Sequence, residues 1–151
     1  MAKHRLAFLL ILAGVTAGIA AQSNERIDSI LAEQTATLGS AAYIALSGVG
    51  LVADEASPAQ AVAAAVDEGW LAEGTDGAAP ATFGQVARLL MAAHGVNGGL
   101  MYRFFPGPRY AAREFVARGW SPERRAPGDP VSGEFLLRVT GNFLEMTGVS
   151  R

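Results

Sequence analysis

Cysteine is absent from the 151 residues, which excludes disulfides, thiol nucleophiles and thiolate metal sites. Histidine is nearly absent. His94 is the only one outside the first five residues, so neither a histidine metal site nor a Ser–His catalytic pair has a basis here. Lysine occurs once, as Lys3. No phosphate loop, dinucleotide fingerprint or zinc-ligand spacing is present. Strand patterns are missing too. Tyr43-Ile44-Ala45-Leu46 and Leu100-Met101-Tyr102 are short apolar runs, but helix caps and helical spacing favour a helix for the first and a loop for the second.

What is present is apolar and helical. Half of the residues are hydrophobic, enough for a packed core in one domain. The N-terminal stretch reads as an address. Lys3, His4 and Arg5 precede the apolar run Leu6–Thr16, and Ala17–Gln22 supplies small residues for cleavage. The run is short for a membrane span of about 20 residues. A cleaved secretory leader over 1–21 is therefore expected, cut after Ala20 or Ala21. Without cysteine no lipobox is possible, so the product is expected to be soluble in the periplasm or outside the cell, with no stable membrane insertion. Beyond residue 21 stand ten arginines and fourteen acids, a net charge of 10 − 14 = −4. The charges are segregated: 22–98 holds two arginines and nine acids, and 99–151 holds eight arginines and five acids. Such a split suits two faces or an anionic partner for the second half, and equally a solvated surface. The net negative charge and the leader argue against nucleic acid.

Helix signals punctuate the rest. Ile27, Ile30 and Leu31 recur at helical spacing in a first helix over 24–34. Thr37 caps a second, with Ala41, Ile44, Ala45 and Leu46 on its apolar face and Gly48 or Gly50 at its end. Ser57-Pro58-Ala59-Gln60 combines a cap, a proline at the first position and a capping-box glutamine; the helix stops at Gly69-Trp70. Thr82 and Gln85 repeat the box ahead of a stripe of Val86, Leu89, Leu90 and Ala93, which Gly95 ends. Pro108 starts a helix that stops at Gly119-Trp120. Ser132 caps the last, with Phe135, Leu136, Val139 and Phe143 buried and Gly148 beyond.

A shift of 50 residues superposes part of the chain on itself. Pro58, Ala61, Val66, Gly69, Trp70, Glu73, Pro80, Arg88 and Gly98 meet identical residues at 108, 111, 116, 119, 120, 123, 130, 138 and 148. Composition alone gives roughly three such matches over this length. Thr82 meets Ser132, which retains a capping hydroxyl. Upstream, Ala36-Thr37-Leu38-Gly39 is similar to Ala81-Thr82-Phe83-Gly84 at a shift of 45. The expected fold is all-α: three helix–loop–helix units over about 24–50, 57–98 and 107–148, the first abbreviated, packed as one domain because no unit can bury its own stripe.

This pattern resembles the S-layer homology repeat. Gly69-Trp70 and Gly119-Trp120 match the end of that repeat's first helix, and Thr37, Thr82 and Ser132 match its capping threonine. The resemblance implies a pseudo-threefold helical domain that anchors to cell-wall polymers. The arginine that follows the threonine there is Leu38, Phe83 and Gly133 here, and the glutamate is Ser40, Gln85 and Phe135. Gly74-Thr75-Asp76-Gly77 followed by Thr82 is also similar to a small helical peptidoglycan-binding domain.

Between the second and third units lies Gly98–Tyr110, the densest cluster of aromatics, arginines, prolines and glycines in the chain. Tyr102, Arg103, Phe104, Phe105, Arg109, Tyr110 and Arg113 are the candidate binding residues. Arginine beside aromatic rings suits carboxylates, phosphates or sugars. The competing reading makes Phe104 and Phe105 core plugs with snorkelling arginines. Trp70 and Trp120 are expected to plug the core under each loop, with a sugar platform as the alternative. His94 is expected at a helix end, where a positive charge is favourable. Asp54-Glu55, Asp67-Glu68 and Glu73/Asp76 are acids at helix ends and loops rather than a facing glycosidase pair. The sequence thus points to a non-catalytic envelope module without cofactor or metal. Its partner would be peptidoglycan or an anionic wall polymer. The alternative is a scaffold subunit of a periplasmic or surface assembly that binds another envelope protein.

Overall fold

The computed structural model describes residues 24–149. The leader-like stretch lies outside them. Among the described residues the fold is all-α: α1 (24–31), α2 (Leu38–Ser47), α3 (Pro58–Asp67), α4 (Phe83–Ala93), α5 (Leu100–Phe104), α6 (Pro108–Ala117) and α7 (Gly133–Thr147).

The caps act as their sequences dictate. Ser57 and Thr82 each accept from the backbone N–H three residues on, and Gln60 and Gln85 return the bond to the cap N–H. Ser132 accepts from Phe135 N–H. In α2 the third position is Ser40, which cannot close a box by itself. Glu33, from the preceding turn, takes over. One carboxylate oxygen accepts from Thr37 N–H at 3.0 Å and the other from the Ser40 hydroxyl at 2.7 Å.

The peptide groups just before α2, α4 and α7 are joined to one another. Ala36 N–H donates to Val131 C=O (2.8 Å), Val131 N–H to Ala81 C=O (3.1 Å), and Ala81 N–H to Ala36 C=O (2.8 Å), a closed ring of three backbone bonds. All three residues are buried. The first bonds outside the ring also recur: Leu38 N–H to Ala79 C=O, Phe83 N–H to Asp129 C=O, and Gly133 N–H to Glu33 C=O. The loops over 71–81 and 121–131 therefore return to the start of a neighbouring unit's capped helix, which satisfies backbone groups that burial would otherwise strand.

α2 packs against α3, α4 and α7, and α4 against α6. With neighbours on several sides, α2 is buried from Leu38 to Leu46, including Tyr43, so its apolar face is wider than the stripe read from sequence. The α6–α7 side of the core is aromatic. Phe115 stacks on Phe143 (centroids 5.2 Å apart), and Trp120 meets both rings edge-on at 5.3 and 5.2 Å. Phe83 joins edge-on to Phe115 and Phe135.

Three expectations need correction. Leu31 is exposed: α1 is a peripheral helix and buries Ile30 alone. The stretch after Gly99 is a short helix rather than a loop. Trp70 is only half-buried, although Trp120 is buried at 5% exposure.

Candidate functional site

α5 is a single helical turn held between two brackets. Arg103 N–H donates to Gly99 C=O and Phe105 N–H to Met101 C=O. Pro106 and Gly107 then turn the chain, and Pro108 opens α6 at its first position. α5 lies on α6. A turn this short can send only one large side chain inward, and that residue is Tyr102, 8% exposed. Its ring lies on Gly98, where any Cβ would sit 2.6 Å from Tyr102 Cβ, so the glycine permits the approach. Burial pushes the Tyr102 phenol above its ordinary range; nearby Arg88 opposes this and Glu114 adds to it.

Everything else on the turn faces outward. Leu100 and Met101 are exposed, as are Phe104 (69%) and Phe105 (60%). Phe104 and Phe105 are therefore not core plugs. Phe105 stacks on the half-buried Tyr110, with centroids 6.0 Å apart and planes 29° from parallel. The Arg113 guanidinium covers the Tyr110 ring at 5.8 Å. The structure thus brings Phe105, Tyr110 and Arg113 into one surface column. Arg103 and Arg109 are exposed, and Tyr102 supports the turn from beneath.

Three of the five acids of this half are ion-paired, and one of them, Glu114, sits on α6 against Gly99 at the start of α5. Glu114 pairs with Arg118 at 2.9 Å, Glu123 with Arg125 and Arg138 at 3.1 and 3.3 Å, and Glu134 with Arg138 at 3.7 Å. Among the described residues Arg103, Arg109, Arg113 and Arg124 have no ion-pair partner. The positive charge counted in the sequence is therefore not evenly neutralised. It stays available on the α5–α6 side.

Other features escaped the sequence. A cavity of about 410 Å³ lies between α1, α2 and the turn before α3, with Glu25, Glu33, Asp54 and Glu55 among its lining residues. Tyr43 donates its hydroxyl to Asp54 C=O at 2.8 Å there, and Arg26 covers its ring at 5.0 Å. These residues are far apart in the chain, and no spacing signal links them. Glu33 is already committed to the α2 cap. Among the described residues no group of three His, Asp or Glu is placed to hold a metal ion, and no helix is long and apolar enough to cross a membrane.

His94 does end α4, as expected. Its ring meets Phe143 edge-on at 5.6 Å, and burial pushes its pKa below the ordinary value, which works against the expected helix-end positive charge. Trp70 borders a small cavity of about 200 Å³ with Leu38, Gln85, Arg88 and Pro108. No protein-family model matches the sequence, and no characterised protein or solved structure matches it either.

Proposed function

We propose that this protein is a non-catalytic binding module of the cell envelope, and that the α5–α6 face docks an anionic, ring-bearing wall polymer such as peptidoglycan. The observation that carries this reading is the exposed Phe105–Tyr110–Arg113 column beside the free Arg103 and Arg109. Stacked rings suit the faces of sugars, and arginine forks suit carboxylates and phosphates. The leader-like N terminus and the resemblance to S-layer homology repeats point the same way, and the closed ring of backbone bonds is what three related units around one axis would make. The arginine of that family's Thr-Arg-Ala-Glu start is missing, so binding is assigned to the connector.

A second reading rests on Leu100 and Met101, exposed on the same turn. Aliphatic side chains beside aromatics and arginine are typical of protein hot spots rather than sugar platforms, and favour a scaffold role with a protein partner.

Sedimentation with purified peptidoglycan sacculi tests the first reading. The protein should pellet at low salt and less at high salt. Arg103→Ala/Arg109→Ala should stay in the supernatant with an unchanged melting curve. A folded parent that never pellets would remove peptidoglycan and leave the protein-partner reading.

A further inference from the structure

A second cleft lies between α6 and the loop at 124–127, with a volume of about 640 Å³, and adjoins the α5–α6 column at Arg113. Ala112, Val116, Ala117 and Pro127 give it an apolar lining. Arg113, Arg124 and Arg125 stand around it. Arg125 is held in place: it pairs with Glu123, donates to Pro130 C=O at 3.2 Å and covers the Phe135 ring at 4.2 Å. Arg113 and Arg124 have no acid partner among the described residues.

The molecule carries its own control. The 50-residue shift sets four of its lining positions, 112, 125, 126 and 127, against Val62, Thr75, Asp76 and Gly77, which line another cleft, of about 590 Å³, between α3 and the loop at 75–78. The shift sets Ala63, Gly74 and Thr75 against the three arginines and Asp76 against Ala126, and of these Thr75 and Asp76 line the α3 cleft. One cleft thus has three arginines in its lining, and the other has one acid and no arginine. We infer that the α6 cleft binds a small organic anion, a carboxylate or phosphate carried on an apolar chain or ring, with the apolar part on the Ala112–Val116 side and the anion between Arg113 and Arg124. Pockets with an apolar lining and a few convergent charged groups are the usual form of small-ligand sites. The three arginines favour anions here, and the α3 cleft, with one acid and no arginine, is the comparison within the same protein. This inference does not depend on wall binding by α5.

The test uses four probes on the isotope-labelled protein: octyl phosphate, octanoate, neutral octyl glucoside and inorganic phosphate. Octyl phosphate or octanoate should saturate and shift the amides of 112–117 and 124–127. Phosphate alone should bind weakly for lack of an apolar part, and octyl glucoside weakly for lack of charge. The relative strength of the two anionic probes tells whether phosphate or carboxylate is preferred. Arg113→Ala and Arg124→Ala should each weaken binding about tenfold, the scale of a lost charge-assisted hydrogen bond. Ala117→Phe should fill the cleft and reduce binding without touching charge. Phe104→Ser/Phe105→Ser should leave binding intact, which separates this site from the α5 surface. Equal binding of octyl glucoside, undiminished affinity in the double arginine variant, or shifts confined to α5 or to the 75–78 cleft would each overturn the inference.

Discussion

The two Gly–Trp corners share one design and differ in what lies behind them. At both, a helix ends on a left-handed glycine, Gly69 at φ +73° and Gly119 at φ +71°. At both, the backbone N–H of the tryptophan donates to the carbonyl five residues earlier, Trp70 to Ala65 and Trp120 to Phe115, at 2.8 and 2.9 Å. This motif brings the residue after the glycine against the side chain at that earlier position. Behind Trp120 it finds Phe115 and then Phe143, and the indole is buried. The counterpart of Phe115 in the other unit is Ala65, which has no ring to offer, and the Trp70 indole stays half-exposed beside a small cavity. One backbone solution thus yields a core plug in one unit and a partly open surface in the other. The exteriors diverge in the same way, because arginines on α6 and its loop replace the small residues of α3 and its loop.

The sharpest way to break the comparison is Phe115→Ala, which gives the third unit the residue of the second. Phe115 is fully buried and touches Phe83, Trp120 and Phe143. Its loss should cost about 3–5 kcal/mol in denaturant melts and redshift the tryptophan emission as Trp120 gains water. Next, Trp120→Ala should destabilise by a similar about 3–5 kcal/mol, and Trp70→Ala by clearly less. Equal losses at the two corners would contradict the difference in burial. Glu33→Ala removes the carboxylate that closes the α2 cap from outside; a loss of about 1–3 kcal/mol is expected, since two part-buried donors lose their acceptor.

The smallest effect is a pH dependence. The folded His94 binds its proton less readily than the unfolded one because burial disfavours the cation. The unfolded chain therefore holds more protons over that interval, and stability rises with pH. The contribution is fully present above about pH 6.5 and is lost as pH falls through the lower folded value. His94→Gln should flatten the melting temperature against pH across that window. An unchanged profile would show that other groups set the slope.

The helix frame was legible because its signals are local. Ser57/Gln60, Thr82/Gln85, Pro108 and the glycine stops each act within four residues, and each lies where the sequence places it. The Glu33 bridge and the ring through Ala36, Ala81 and Val131 join distant segments, and alanine carries no visible sign of a backbone partner. Leu31 misled because helical spacing does not say which side of a peripheral helix is covered. α5 misled because Gly98-Gly99 and Pro106-Gly107-Pro108 read as breakers, yet five residues between breakers suffice for one turn. The candidate residues were found by composition. Which of them point outward was set by a turn too short to show periodicity, so Tyr102 and Phe104 could not be told apart in advance.

The claim that the α5–α6 face is the binding surface is tested most directly by hydrogen–deuterium exchange with and without soluble peptidoglycan chains. The account predicts slowed exchange over 100–113 on binding, with the Trp70 corner and the α1–α2 cavity unchanged. Slowing at Trp70 and its neighbouring loop, with 100–113 unaffected, would contradict it and move the binding surface to the other unit.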